Sequence, residues 1–157
     1  MLKRLALLAF AFAFAAPVLA AEPGAVMTVT TKAKFDDVKD DVVNAVTKRG
    51  LVVDYTAHIG TMLDRTAKDV GATKQIYARA EAVQFCSATL SRKMMEADPA
   101  NIAFCPYVIV IYTLSGDPGT VHVGYRRPSV QGSPASRAAL KAVDDLLGGI
   151  VKEAVKK

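Results

Sequence analysis

The chain is poor in the residues from which most catalytic and metal centres are built, with two cysteines and two histidines in 157 residues. His58 and His122 do not stand at a paired-ligand spacing, and Cys86 and Cys105 do not form a C-x-x-C motif. No glycine-rich phosphate loop precedes a helix, and no nucleophile, base and orienting group follow one another in a recognisable pattern. No catalytic residue, metal ligand or cofactor is therefore assigned; enzyme activity is disfavoured but left open. Basic residues are scattered among acidic ones with no run interleaved with aromatics, which removes the electrostatic footprint of a nucleic-acid partner. Repeats, low-complexity tracts and long Gly/Ser linkers are also absent.

A long hydrophobic run is missing too. The apolar stretch Leu5 to Ala16 holds about a dozen residues, whereas a membrane-spanning helix needs about twenty, so no permanent membrane anchor is expected. What is present is a three-part N-terminus: Lys3 and Arg4, the apolar stretch, then the small-residue end Pro17-Val18-Leu19-Ala20-Ala21. That layout predicts a signal peptide over residues 1–20, with Val18 and Ala20 directing a cut before Ala21 and a cut before Glu22 as second choice. No cysteine follows either cut, so a lipid anchor is not expected. The expected location is periplasmic or secreted. Loss of Lys3 and Arg4 lowers the net charge from +5 to +3. About 137 residues then remain, the size of one ordinary domain with its own core.

The periodicities place the elements. Met27 to Ala33 reads as a strand, and Phe35, Val38, Val42, Ala45 and Val46 recur at helical spacing until Gly50. Leu51 to Ile59 alternates, with Leu51, Val53, Tyr55, Ala57 and Ile59 on one face and Val52, Asp54, Thr56 and His58 on the other. Thr61 and Asp64 suggest a capping box for a short helix closed by Gly71. Gln75 to Phe85 has the length of a strand; Ser87 caps a helix carrying Leu90, Met94 and Ala97, which Asp98-Pro99 ends. Tyr107 to Leu114 is apolar on both faces and reads as a central strand, joined through a turn at Ser115–Gly119 to an antiparallel partner with Val121, Val123 and Tyr125. Ser133-Pro134 opens a long helix with the buried stripe Leu140, Val143, Leu147, Ile150 and Ala154; Gly148-Gly149 interrupts it and predicts a kink or a close approach to another backbone. The fold class is α+β, a mostly antiparallel sheet covered on one face by the two longer helices, with short extra helices.

Phe35-Asp36-Asp37-Val38 opening a helix, Gly50-Leu51-Val52-Val53 starting a strand, then Phe85-Cys86 and Glu96-Ala97-Asp98-Pro99 before an apolar strand resemble the domain of unknown function 302 family. The resemblance covers Met27 to Lys157 as a single domain. It implies a β-α-β(4)-α sandwich similar to the TATA-binding-protein-like fold, often paired as a homodimer and without an established reaction. Such a fold by itself implies no DNA binding. Family members commonly carry a second cysteine just after the proline that corresponds to Pro106; here Tyr107 stands there and Cys105 precedes the proline.

Export and an even cysteine count predict a disulfide between Cys86 and Cys105, because an oxidising compartment does not preserve a free thiol pair. A sharper alternative uses the same two residues with Met94, Met95 and His58 as soft ligands for copper, in a redox or metal-handling protein. His122 shares a strand side with Gly124 and Arg126 and could receive an anion. The two-faced strand needs a cover on its second side, so a homodimer contact or a small-molecule ligand is expected near Cys86, His122 and Arg126. The leading functional expectation is a non-catalytic binding or accessory domain.

Overall fold

The computed structural model describes residues 24–130 and 132–156; the expected signal peptide, residues 1–20, lies outside them. The elements are β1 (Val26–Thr31), α1 (Phe35–Thr47), β2 (Val52–Ala57), α2 (Ile59–Thr66), β3 (Tyr77–Cys86), α3 (Ala88–Ala97), a 3-10 helix (Pro99–Phe104), β4 (Tyr107–Leu114), β5 (Asp117–Arg126) and α4 (Pro134–Ala154). The strands form one sheet in the order β1-β5-β4-β3-β2, and every neighbouring pair is antiparallel. This is the expected α+β architecture.

Side chains alternate across a strand, so the register assigns each residue to a face. Ile109 opposes Val83, Ile111 opposes both Glu81 and Val123, and Val29 opposes Val123. Together with Phe85, Tyr107, Val121 and Tyr125 these residues meet the buried stripes of α1 and α4 in one core. Ile109 and Ile111 are fully buried there, and truncating either to alanine is expected to cost roughly 2–5 kcal/mol. All five residues of the expected α4 stripe are buried, as are the five of α1. The second face of β4 carries Val108, Val110 and Tyr112, all half-buried. The open side of the strand is thereby identified.

Four local expectations are corrected. In β2 the register shifts between Val53 and Tyr55, so a bulge at Asp54 breaks the alternation and turns Tyr55 outward. α2 starts at Ile59, with His58 at its N-cap and no side-chain cap bond; Thr61 lies inside the helix and cannot cap it. The 3-10 helix Pro99–Phe104 was not expected: Asp98 ends α3 and also accepts from the Ala100 amide to start the next turn. Finally, α4 runs unbroken through Gly148-Gly149. Gly148 makes room for a side chain rather than a backbone, since a Cβ there would lie 3.1 Å from the Tyr125 hydroxyl.

Two of the expected caps form as read. The Ser133 hydroxyl accepts from the Ser136 amide at the start of α4, and the Ser87 hydroxyl accepts from the Leu90 amide at the start of α3. Buried Asn101 then ties three elements together, donating to the Met94 carbonyl at 2.8 Å and to the Ser136 hydroxyl at 2.9 Å. This bond set fixes the chain leading into β4.

Candidate ligand cleft and thiol pair

β4 and β5 do not pair along their whole length. Their ladder runs from Leu114–Asp117 at the hairpin to Val110–Gly124 and stops there. Beyond that rung β4 stays with β3, where Tyr107 opposes Phe85, and β5 stays with β1, where Val26 opposes Arg126. The tail of β5 is drawn to α4: the Tyr125 hydroxyl donates to Asp144 Oδ1 at 2.7 Å, and Arg127 donates to Oδ2 at 3.2 Å. Burial, and next the Asp144 carboxylate, raise the Tyr125 phenol above its ordinary value, so it stays a donor.

Between the parted strands lies a cleft of about 280 Å³. Phe104, Pro106, Val108 and Val110 form its walls, and Val143 and Leu147 of α4 reach it from the core. Among the described residues Arg126 is the one charged residue lining it. A second hollow, of about 240 Å³, lies beneath the loop after α2, walled by Leu63, Val70 and Ile76. Its polar neighbours Asp64 and Gln75 bond to each other, and Thr66, Thr73 and Lys74 line it as well.

The thiols lie beside the first cleft. Cys86 ends β3 and Cys105 follows the 3-10 helix, placing their sulfurs 2.7 Å apart. The Ser91 hydroxyl is 3.7 Å from the Cys105 sulfur and 3.1 Å from the Tyr107 hydroxyl. Burial first, then the neighbouring Cys105, push the Cys86 thiol up to about 12. A reduced Cys86 is therefore protonated at neutral pH and a poor nucleophile.

Cys86, His122 and Arg126 share the open face but do not converge. His122 and Arg126 stand four residues apart on β5, about 13 Å at the rise of a strand, and Cys86 lies two strands away. His122 stacks on Tyr112 with ring centroids 4.7 Å apart, while Tyr77 meets Tyr112 edge-on at 5.4 Å. Of the soft-ligand set, Met94 is fully buried and His58 sits at the other end of β3, 3.8 Å from Glu81. That separation leaves the cysteines without the histidine.

Two charged sites escaped the sequence reading. Glu81 is buried on the helix-covered face, with Lys39 Nζ 3.4 Å and His58 Nδ1 3.8 Å from its Oε2, and Arg79 3.5 Å from its Oε1. Oε2 has no hydrogen-bond partner among the described residues. Arg79 also forks onto Asp36 at 2.7 and 2.8 Å and lies over the Phe35 ring; its bonds to Asp36 hold that carboxyl below the usual range. The available signal was alternation: Glu81 shares a strand face with Val83 and Phe85. Asp144 was the second, and sequence offered no sign that it faces Tyr125.

The family model described as domain of unknown function DUF302 matches residues 27–156. The crystal structure of an uncharacterized conserved DUF302 protein from Bacillus stearothermophilus is similar with a TM-score of 0.69 and 13% identity. The match covers 83% of this chain and 98% of that one, and at this identity it speaks for the fold. No curated protein matches the chain.

Proposed function

From a chain that belongs to the DUF302 family of domains of unknown function, we propose an exported, non-catalytic binding domain that loses residues 1–20 and uses the cleft between β4 and β5. The observation that carries this reading is the cleft itself: apolar walls, one free cation at the edge, and a ladder that ends where the cleft begins. Binding sites combine apolar lining with a few polar groups in this way. Ligand titration of the mature protein, followed by amide NMR, tests it. Shifts confined to Val108–Val110, Arg126, Val143 and Leu147 support the reading, and shifts centred on the α2 loop instead would count against it. Export rests on the tripartite N-terminus, and intact mass of protein taken from the cell envelope should begin at Ala21 or Glu22.

Within this reading Cys86 and Cys105 form a structural disulfide. Their close sulfurs favour it, as does the high thiol value of Cys86, which suits an inert pair better than a reactive one. Non-reducing peptide mapping should recover one linked pair. Two alkylatable thiols with stoichiometric copper would move the function to metal handling.

A further inference from the structure

We propose that the cleft between β4 and β5 takes a small apolar molecule carrying one anionic head group, with Arg126 holding the head. This deepens the binding reading and depends on it. The argument rests on charge, lining and size.

The chain has two adjacent arginines here, and the structure treats them differently. Arg127 is neutralised by Asp144, whereas Arg126 has no hydrogen-bond or ion-pair partner among the described residues. Among the described residues no carboxylate lines the cleft to repel an anion or attract a cation. The Tyr107 hydroxyl, the other polar side-chain group in the lining, is within hydrogen-bond distance of Ser91. A guest therefore finds a single fork of N–H donors, matched to a carboxylate or phosphate.

The rest of the cleft is apolar and leads inward. Val108 and Val110 are half-buried, while Val143 and Leu147 behind them are buried. A guest lies with its head at Arg126 and its tail toward α4. At about 30 Å³ per water-sized group, the volume accommodates a molecule of on the order of ten non-hydrogen atoms.

Octanoate has this size, and octanol and octylamine keep the chain while changing the head. Titrated into the mature protein, octanoate is expected to shift the amides of Val108–Val110, Arg126, Val143 and Leu147 and to bind about tenfold more tightly than octanol, the contribution of one charge-assisted contact. Arg126→Gln should bring octanoate down to the octanol level. Val108→Trp, which fills the cleft, should weaken both probes while the melting transition stays cooperative. Octyl phosphate separates the two head groups: tighter phosphate or tighter carboxylate each supports the class and names its source. Equal binding of octanoate, octanol and octylamine, insensitive to Arg126→Gln, overturns the anionic class while leaving the cleft as a binding site. Folded protein that responds to none of the four probes in the cleft overturns both.

Discussion

β4 and β5 are one pair of strands with two different ends. At the hairpin end they are zipped, with Tyr112 opposite His122, their rings stacked, and Leu114 opposite Asp117. At the other end the same strands part, and each is held by something else. β4 is fixed through Tyr107, which packs edge-on against Phe85 and lies 3.1 Å from Ser91, and through the thiol pair just before it. β5 is fixed to α4 by the bonds of Tyr125 and Arg127 to Asp144. The comparison teaches that a ladder bond and a side-chain bond to a helix are interchangeable supports, each contributing about 0.5–1.5 kcal/mol for neutral pairs and more where a charge takes part. Exchanging one for the other opens a space in the sheet.

The strongest way to disturb the parted end is through the disulfide proposed between Cys86 and Cys105, whose sulfurs lie 2.7 Å apart as free thiols in this structure. A loop of about twenty residues contributes roughly 3 kcal/mol in the chain-entropy model, so Cys86→Ser or reduction should lower the urea midpoint accordingly. Equal midpoints with and without reductant would remove the link from the account. The reduced form adds a pH signature. Its Cys86 thiol stands at about 12 against an ordinary 9.0, so the folded state holds the proton more tightly than the unfolded one. That contribution is complete below pH 9 and is lost as pH rises toward 12; the bonded form, having no thiol, should lack it.

Next in size is Asp144→Ala, which removes the carboxylate that Tyr125 and Arg127 share but leaves the Asp144 carbonyl 3.2 Å from the Tyr125 hydroxyl. We expect a loss of about 1–2 kcal/mol in chemical denaturation, less for Asp144→Asn. With β5 released, amide exchange at Val108 and Ile109 should slow as the strands close. A stability loss with unchanged exchange there would mean that Asp144 stabilises the helix without holding the strands apart.

The adjacent glycines of α4 offer a finer probe. Each costs the helix roughly 1 kcal/mol relative to alanine. A Cβ at position 149 would meet Arg49 Nη2 at an ordinary 3.7 Å, so Gly149→Ala should recover most of that amount. At position 148 the new carbon lies 3.1 Å from a Tyr125 hydroxyl already pinned by Asp144, so Gly148→Ala should gain little or lose. Thermal melts of the two variants separate them, and identical gains would show that Tyr125 moves freely.

The zipped end should give the smallest response. The Thr120 hydroxyl donates to Asp117 at 2.6 Å and holds its carboxyl below the usual range. The folded state therefore binds that proton more weakly, and the stabilisation, present above the ordinary carboxylate value, fades as pH falls through the depressed one. NMR titration of Asp117 should show its pKa rise in Thr120→Val; no rise would transfer the cause to Lys32 or His122.

Most of the frame was legible because it rests on periodicity. The stripes of α1 and α4 and the two faces of β4 are local patterns, so the expected stripe residues followed from spacing, while Ser136, Ala139 and Val151 of α4 and the choice of the buried β4 face did not. The bulge at Asp54 was hidden because a shifted register is a property of two strands. His58 reads as a strand residue until α2 is seen to begin immediately after it. The candidate site was legible only in its parts. Alternation put His122 and Arg126 on one side of β5, but the cleft depends on where a ladder stops, and there the tail of β5 is held by Asp144 on another element. Asp144 meets Tyr125 and Arg127 from another element, and Glu81 meets Lys39 and His58 from two others, with only Arg79 close to it in sequence.

Where the zipper stops has a consequence for variation. Gly124 supplies the last rung, and a Cβ there would fall 2.5 Å from the Met27 carbonyl oxygen and 2.8 Å from the Thr28 hydroxyl oxygen. The Thr28 hydroxyl can rotate, but the Met27 carbonyl is backbone of the neighbouring edge strand and would have to shift with its ladder. In a saturation library selected for folded protein, position 124 should carry almost no tolerance, while Val108 and Arg126, close by on the same face, accept many residues. The mouth of the cleft is then free to diversify toward different guests around a single glycine that fixes where the opening begins.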